Sequence, residues 1–192
     1  MARALTSLDA LAIVDEDEAL VAAALRQPEA FGQLYQRHVR PVYRYVRTRT
    51  ASDEEAADVT QSVFIKAMAS LDRYRPGSLF AAWLFRIARN ASTDAYRRRR
   101  KTVGLDGLPE PVLESLADSP EDVVLKQERL RRLRGLVARL DGDKQELLAL
   151  RFGAGLTLRE IAAVRGKGES AIKKQMSRVM AALREQYFEQ PE

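Results

Sequence analysis

Cysteine is absent from all 192 residues, which removes disulfides, thiol redox switches, cysteine nucleophiles and cysteine zinc sites together. The one histidine, His38, stands between Arg37 and Arg40 with no second ligand near it in sequence; it reads as a partly exposed structural side chain rather than a metal ligand. No apolar run approaches the ~20 residues needed to span a bilayer, and the N-terminus lacks the basic start and apolar core of a signal peptide. Phosphate-binding glycine loops, metal-ligand spacings and nucleophile–base pairs are missing, and Asp53, Glu54, Glu55 and Asp58 fall together as an acidic helix face. Neither an enzyme nor a cofactor is expected. Only seven prolines and ten glycines punctuate the chain, and no sustained period-2 alternation occurs, so the expected fold class is all-α.

What is abundant is charge, unevenly placed. Residues 1 to 101 hold 17 basic and 12 acidic side chains, residues 102 to 120 hold 0 and 4, and residues 121 to 192 hold 15 and 11. Two basic bodies thus flank an acidic connector. Between Arg73 and Lys101 there are nine basic residues and one acid, Asp94, which concentrates positive field at the end of the first body.

That field coincides with a patterned helix, FAAWLFRIARNASTDAYRRRRK, over residues 80 to 101. At about 100° per residue, Phe80, Leu84, Ile87, Ala88 and Ala91 form an apolar stripe, while Arg86, Asn90, Thr93 and Arg97 form a polar row. The row can bind phosphates and base edges, and the run Arg97 to Lys101 extends it. Trp83 lies between the stripes, where core packing competes with a wedge against a base pair.

Elsewhere the periodicity predicts a short helix over residues 16 to 26, stopped by Pro28. A second follows from Glu29 to about Arg49, with a kink or break at Pro41. Ser52 caps a third that runs to about Leu71, with Glu55 completing a capping box. Thr102 to Pro120 carries two glycines, three prolines and no base and reads as an extended linker. Helices resume at about Glu121 to Leu140, Asp143 to Phe152, Thr157 to Arg165 and Glu169 to about Phe188. The last pair, LTLREIAAVRGKGESAIKKQMSRV, has helix-turn-helix spacing: Ala162 at the helix contact, Gly166 at the turn and Ile172 packing the second helix. Its Ser170, Lys173, Lys174 and Ser177 share a face opposite Ile172, Met176, Val179 and Leu183, and can enter a major groove. A plain helical hairpin with a lysine-rich solvent face is the competing reading, because Arg165 and Lys167 stand where such turns usually carry apolar side chains.

Taken in order, these segments resemble a group IV, extracytoplasmic-function sigma factor of bacterial RNA polymerase. FGQLYQRHVRPVYRYV resembles the start of region 2, DVTQSVFIKA the D-x-T-Q-E-x-F core of the polymerase-binding helix, and FAAWLFRIARNASTDAYRRRR the promoter-reading helix. LALRFGAGLTLREIAAVRGKGESAIKKQMSRVMAALRE resembles region 4. The likeness runs from about residue 17 to residue 186. It implies a flexible N-terminus over 1–15, region 2 as a helical bundle over 16–101, an acidic linker over 102–120 and a region 4 helix-turn-helix over 121–192.

The resemblance also implies roles. Asp58, Gln61 and Phe64 would meet the clamp coiled coil of core RNA polymerase, with Ser62 standing where the family has glutamate; the polymerase flap is a further expected contact. The loop carrying Tyr74, Arg75 and Ser78 would capture an unstacked non-template base at the −10 element, beside Trp83, Arg86, Asn90, Thr93 and Arg97. Ser170, Lys173, Lys174 and Ser177 would read the −35 element as duplex. Further implied are promoter DNA and an anti-sigma factor as partners, no membrane insertion, and a cytoplasmic location associated with the nucleoid when polymerase-bound.

Two alternatives belong to other classes. A stand-alone helix-turn-helix regulator would use the C-terminal pair but has no need of the D-x-T-Q helix. An RNA-binding helical protein would use the arginine run without explaining the C-terminal turn.

Overall fold

The computed structural model describes residues 17–102 and 120–189, and its side chains over 17–98 and 128–188. The expected flexible segment 1–15 and most of the expected linker, 103–119, lie outside the described residues. Among those described, every regular element is helical. They comprise α1 (residues 17–26), α2 (Phe31–Arg47), α3 (Asp53–Ala69), α4 (Phe80–Thr102), α5 (Pro120–Ala138), α6 (Gly142–Leu148), α7 (Leu158–Arg165) and α8 (Glu169–Glu189). Short 3-10 turns precede α2 and follow α3, and a π-helical segment, Ala149–Gly153, follows α6.

The first body is built on α2, α3 and α4, which pack against one another pairwise. Each supplies a stripe at helical spacing: Phe31, Leu34, Val42, Tyr45 and Val46 from α2, Val59, Val63, Phe64 and Ala67 from α3, and Leu84, Phe85, Ala88 and Ala91 from α4, all buried. The alanines on α4 let neighbouring helices approach closely, while Phe85 fills the space beside Tyr45 with ring centroids 5.5 Å apart. The buried face of α4 is wider than the stripe read from sequence, taking in Ala81, Phe85 and Ala95. The reason is that α7 covers a second side of the helix.

Pro41 does not break α2, which runs unbroken from Phe31 to Arg47. The proline removes one N–H, but fully buried Leu34 and Val42 on either side anchor the helix to the core, and that packing outweighs the lost hydrogen bond. His38 also departs from expectation. It is buried, with Nε2 2.9 Å from Asp17 Oδ2, and Asp17 takes a second bond from Arg37 at 3.0 Å. This partner lies in α1, 21 residues earlier. Ser52 caps α3 by accepting from Glu55 N at 3.1 Å, while the Glu55 carboxylate bonds Ala51 N at 2.8 Å, one residue before the expected position.

The second body folds α5 to α8 around Leu136, Leu147, Leu150, Ile161, Ile172, Val179 and Leu183. A capping box starts α7, with Thr157 and Glu160 bonding each other's backbone N–H. Gly166 ends it at φ +62°, ψ +34°, and Lys167 N donates to Ala162 O at 3.0 Å. That left-handed residue favours glycine and redirects the chain into α8.

Candidate nucleic-acid interface

Three surfaces carry the residues singled out in the sequence. On α4, Arg86, Asn90 and Arg97 are exposed on the side away from Leu84, Ala88 and Ala91. Thr93 is half-buried, and its hydroxyl donates to Arg89 O at 2.9 Å. The row therefore presents two guanidinium groups flanking one carboxamide, a set able to hold a phosphate backbone and pair with a base edge.

The loop before α4 is braced from within. Tyr74 is 5% exposed, so the ring expected to offer a stacking surface is turned inward. It makes edge contacts with Phe80 and Trp83, centroids 5.8 Å from each, and its hydroxyl donates to Ser78 O. Burial is the main cause raising its phenol pKa, with Glu18 and Asp17 adding to it. Gly77, at φ +78°, makes the turn and donates its N–H to Glu18 Oε1 at 2.8 Å. Arg75 remains exposed, while Ser78 and Trp83 are half-buried. His38 stacks obliquely on Phe80, 5.3 Å between centroids, so Asp17, His38, Phe80, Trp83 and Tyr74 form one continuous support beneath the loop.

On α3, Asp58 and Gln61 are exposed beside Ile65 and Met68, whose apolar side chains are 61% and 49% exposed. Phe64 points the other way, buried against Tyr35 and Phe31. It shapes the helix from inside, whereas the outward face combines a carboxylate, an amide and bare aliphatic area.

On α8, Ser170, Lys173, Lys174 and Ser177 are all exposed, with Ile172, Val179 and Leu183 buried beneath them. The two charges that seemed out of place at the turn have partners. Arg165 is 2% exposed at its side chain and ion-pairs with Asp143 of α6, and its guanidinium also donates to Gln175 Oε1 at 3.3 Å. Gln175 in turn donates to Asp143 Oδ2 at 3.2 Å, and Lys167 Nζ lies 3.8 Å from the same carboxylate. Asp143 is held below the usual carboxylate range, first by the Arg165 hydrogen bond. A charged network thus replaces the expected apolar contact and ties α6, the turn and α8 together.

Sequence reasoning passed over Glu146, a buried acid with three side-chain partners. It sits between Gln145 and Leu147 in α6 and is 5% exposed. Its Oε1 receives Arg89 Nε at 2.8 Å and Tyr45 Oη at 3.4 Å, with Arg49 Nη2 at 3.4 Å. All three partners belong to the first body; nothing local in sequence signals them. Among the described residues no helix is long and apolar enough to cross a membrane, and no cluster of potential ligands could hold a metal ion.

Among the described residues one body carries an exposed basic row on α4 and the other a helix-turn-helix, the kind of arrangement found in helical DNA-binding proteins, and comparison with known proteins defines it further. The Sigma-70 region 2 family matches residues 34–102, and the Sigma-70 region 4 family matches residues 136–185. The chain is 34% identical over 158 residues to the ECF RNA polymerase sigma factor BldN of Streptomyces coelicolor, covering 82% of this chain and 60% of BldN. It is 32% identical over 182 residues to the RNA polymerase sigma factor CnrH of Cupriavidus metallidurans, covering 88% and 93% respectively. CnrH, solved in complex with the cytosolic domain of CnrY, superposes with a TM-score of 0.67 at 28% identity over 91% of this chain and 99% of that one. The sigma factor RpoE of Bartonella quintana, solved with the anti-sigma factor NepR, shares the fold at a TM-score of 0.64 and 22% identity over 84% and 98% of the two chains. This chain belongs to the extracytoplasmic-function sigma factors of the sigma-70 family.

Proposed function

We propose that this protein directs core RNA polymerase to a defined set of promoters, reading a −10 element with residues 16–101 and a −35 element with residues 121–192, joined by the segment 102–120, and capturing melted non-template strand. The observation that carries this reading is the exposed row Arg86, Asn90 and Arg97 on a helix whose opposite face is core. A rigid helix offering cation, carboxamide and cation can fix a backbone and query a base at once. Arg75 is exposed in the braced loop and half-buried Trp83 packs on its Tyr74, so the two offer an unstacked base a cation and an aromatic edge. Tyr74 acts here from beneath, setting the loop's shape. Binding a displaced strand selectively favours the open duplex without hydrolysis of a nucleotide, and the polymerase remains the catalyst.

The α3 face of Asp58, Gln61, Ile65 and Met68 suits a helical partner with arginines and apolar ridges, the chemistry expected of the polymerase clamp coiled coil. Lys173, Lys174, Ser170 and Ser177 face outward as a recognition helix should. CnrH and the Bartonella protein were each solved with another protein bound, which supports an anti-sigma factor as a further partner of this chain. The action takes place in the cytoplasm, on the nucleoid.

In vitro transcription on fragmented genomic DNA, with purified core polymerase and this protein, tests the reading through the 5′ ends of the transcripts. New starts that share two spaced upstream elements are expected. Duplex binding without new starts would instead indicate a stand-alone helix-turn-helix regulator.

A further inference from the structure

A groove of about 730 Å³ runs between α2 and α3, within the size range of small-molecule sites. On α2 it is lined by Tyr35, Val39 and Tyr43, spaced four residues apart on one stripe, and by Arg40 and Arg44 on the adjoining row. On α3 it is lined by Ala57, Thr60 and Gln61. The space exists because α3 places an alanine and a threonine where larger side chains would fill it. Tyr35 and Tyr43 stand two turns apart, about 12 Å along the helix axis, so the groove carries an aromatic ring towards each end. Tyr35 is 43% exposed and is fixed by Phe64, with ring centroids 4.8 Å apart. Tyr43 is half-buried, and its hydroxyl donates to Asp53 Oδ1 at 3.2 Å.

Two features of this groove have no explanation in packing. Thr60 is 5% exposed, yet its hydroxyl has no hydrogen-bond partner. In the same body the hydroxyls of Ser70, Ser92 and Thr93 each donate to the carbonyl four residues earlier, at 2.7, 2.8 and 2.9 Å. Thr60 forgoes that bond while lining the groove, and a buried hydroxyl left unpaired is costly unless a bound group completes it. The second feature is charge. Arg37 is held by Asp17 and Arg47 by Asp53, whereas Arg40 and Arg44 are exposed and have no carboxylate partner among the described residues. None of the lining residues is acidic, so two cations one helical turn apart meet no counter-charge within the groove.

We propose that the groove between α2 and α3 binds a nucleoside polyphosphate, with the base against Tyr35 or Tyr43, its edge on the Thr60 hydroxyl and the Gln61 carboxamide, and the phosphates on Arg40 and Arg44. Cβ atoms four residues apart on a helix are separated by about 6 Å, which suits a chain of charged phosphates better than a single carboxylate. Guanidinium groups bind phosphate through charge-assisted hydrogen bonds, a tyrosine ring gives any base a stacking face, and a carboxamide pairs with a base edge. The site goes beyond promoter recognition, and only one consequence rests on the sigma reading. Gln61 also belongs to the α3 face assigned above to the polymerase clamp, so a filled groove should compete with core polymerase.

Isothermal titration of the full chain with ATP, GTP, CTP and UTP tests the site, with inorganic triphosphate and the matching nucleoside as separate arms for the two halves of the ligand. At least one nucleotide is expected to bind saturably, and more tightly than either half alone. Arg44→Gln should weaken that binding about tenfold. Thr60→Val should weaken it about fivefold, while its melting temperature stays level or rises, because the hydroxyl it removes has no partner. Ala57→Leu, at an exposed position, fills the groove and should abolish binding with unchanged helicity. Absence of saturable binding by all four nucleotides, triphosphate binding as tight as nucleotide, or undiminished binding to Ala57→Leu would overturn the site. The titrations contain no polymerase and no promoter, so a null result in the transcription assay leaves the site standing. A nucleotide that binds yet leaves core affinity unchanged would strike only the assignment of α3 to the clamp.

Discussion

Glu18 Oε1 accepts a 2.8 Å hydrogen bond from the backbone N–H of Gly77, joining the first described helix to the turn of the loop before α4 across 59 residues of sequence. Its neighbour Asp17 engages His38 and Arg37. Together these carboxylates tie α1 to both the loop and the helix beneath it, so the loop is held by tertiary contacts as well as by its own turn.

Glu18→Ala should therefore loosen the loop while leaving the core intact. The expected outcome is faster amide exchange at Gly77 and Ser78 and weaker binding to a forked −10 template, with duplex binding by α8 unchanged. Equal loss on both templates would mean that Glu18 acts on general stability instead.

Asn90→Ala should alter −10 preference with little effect on core binding, because Asn90 is an exposed side chain on α4 alone. Asp58→Ala with Gln61→Ala should weaken core binding at every promoter. A polymerase pull-down combined with promoter-library transcription separates the two, and loss of the same function in both variants would refute the division of labour.

The Asp143 carboxyl is lowered in the folded state, so its pairing with Arg165 contributes stability that is present above its unfolded pKa of about 3.9 and is lost as pH falls through the lower folded value. Asp143→Asn should melt below the wild-type temperature at pH 7, and the two curves should converge under strongly acidic conditions. Parallel curves at all pH values would show that the ion pair contributes nothing. Arg165→Met, which restores an apolar residue at the turn, should be tolerated better than Arg165→Ala because it keeps the buried volume.

Phe85→Ala should cost about 3–5 kcal/mol, since Phe85 is fully buried and packs edge-on against Tyr45. Denaturant melts measure this directly. Thr157→Ala should cost about 1 kcal/mol, because it removes one hydrogen bond of a capping box at a helix end.

The amino-acid sequence by itself determined the helices, the capping signal at Ser52, the turn at Gly166 and the separation of α4 and α8 into apolar and polar faces. Each depends on residues within one or two turns of each other, where periodicity and local hydrogen bonding dominate. Only the tertiary structure decided which charges are exposed surface and which are internal joints. Arg86 and Arg89 look alike in sequence, yet one is exposed and the other meets Glu146 across 57 residues. Tyr74 and His38 have the composition of surface groups, but contacts from α1 and α4 bury them. Arg165 seemed misplaced at its turn because its counter-charge, Asp143, comes from another helix. Local pattern cannot record such pairings, because the free energy that fixes them arises from desolvation and charge matching between segments brought together only when the chain folds.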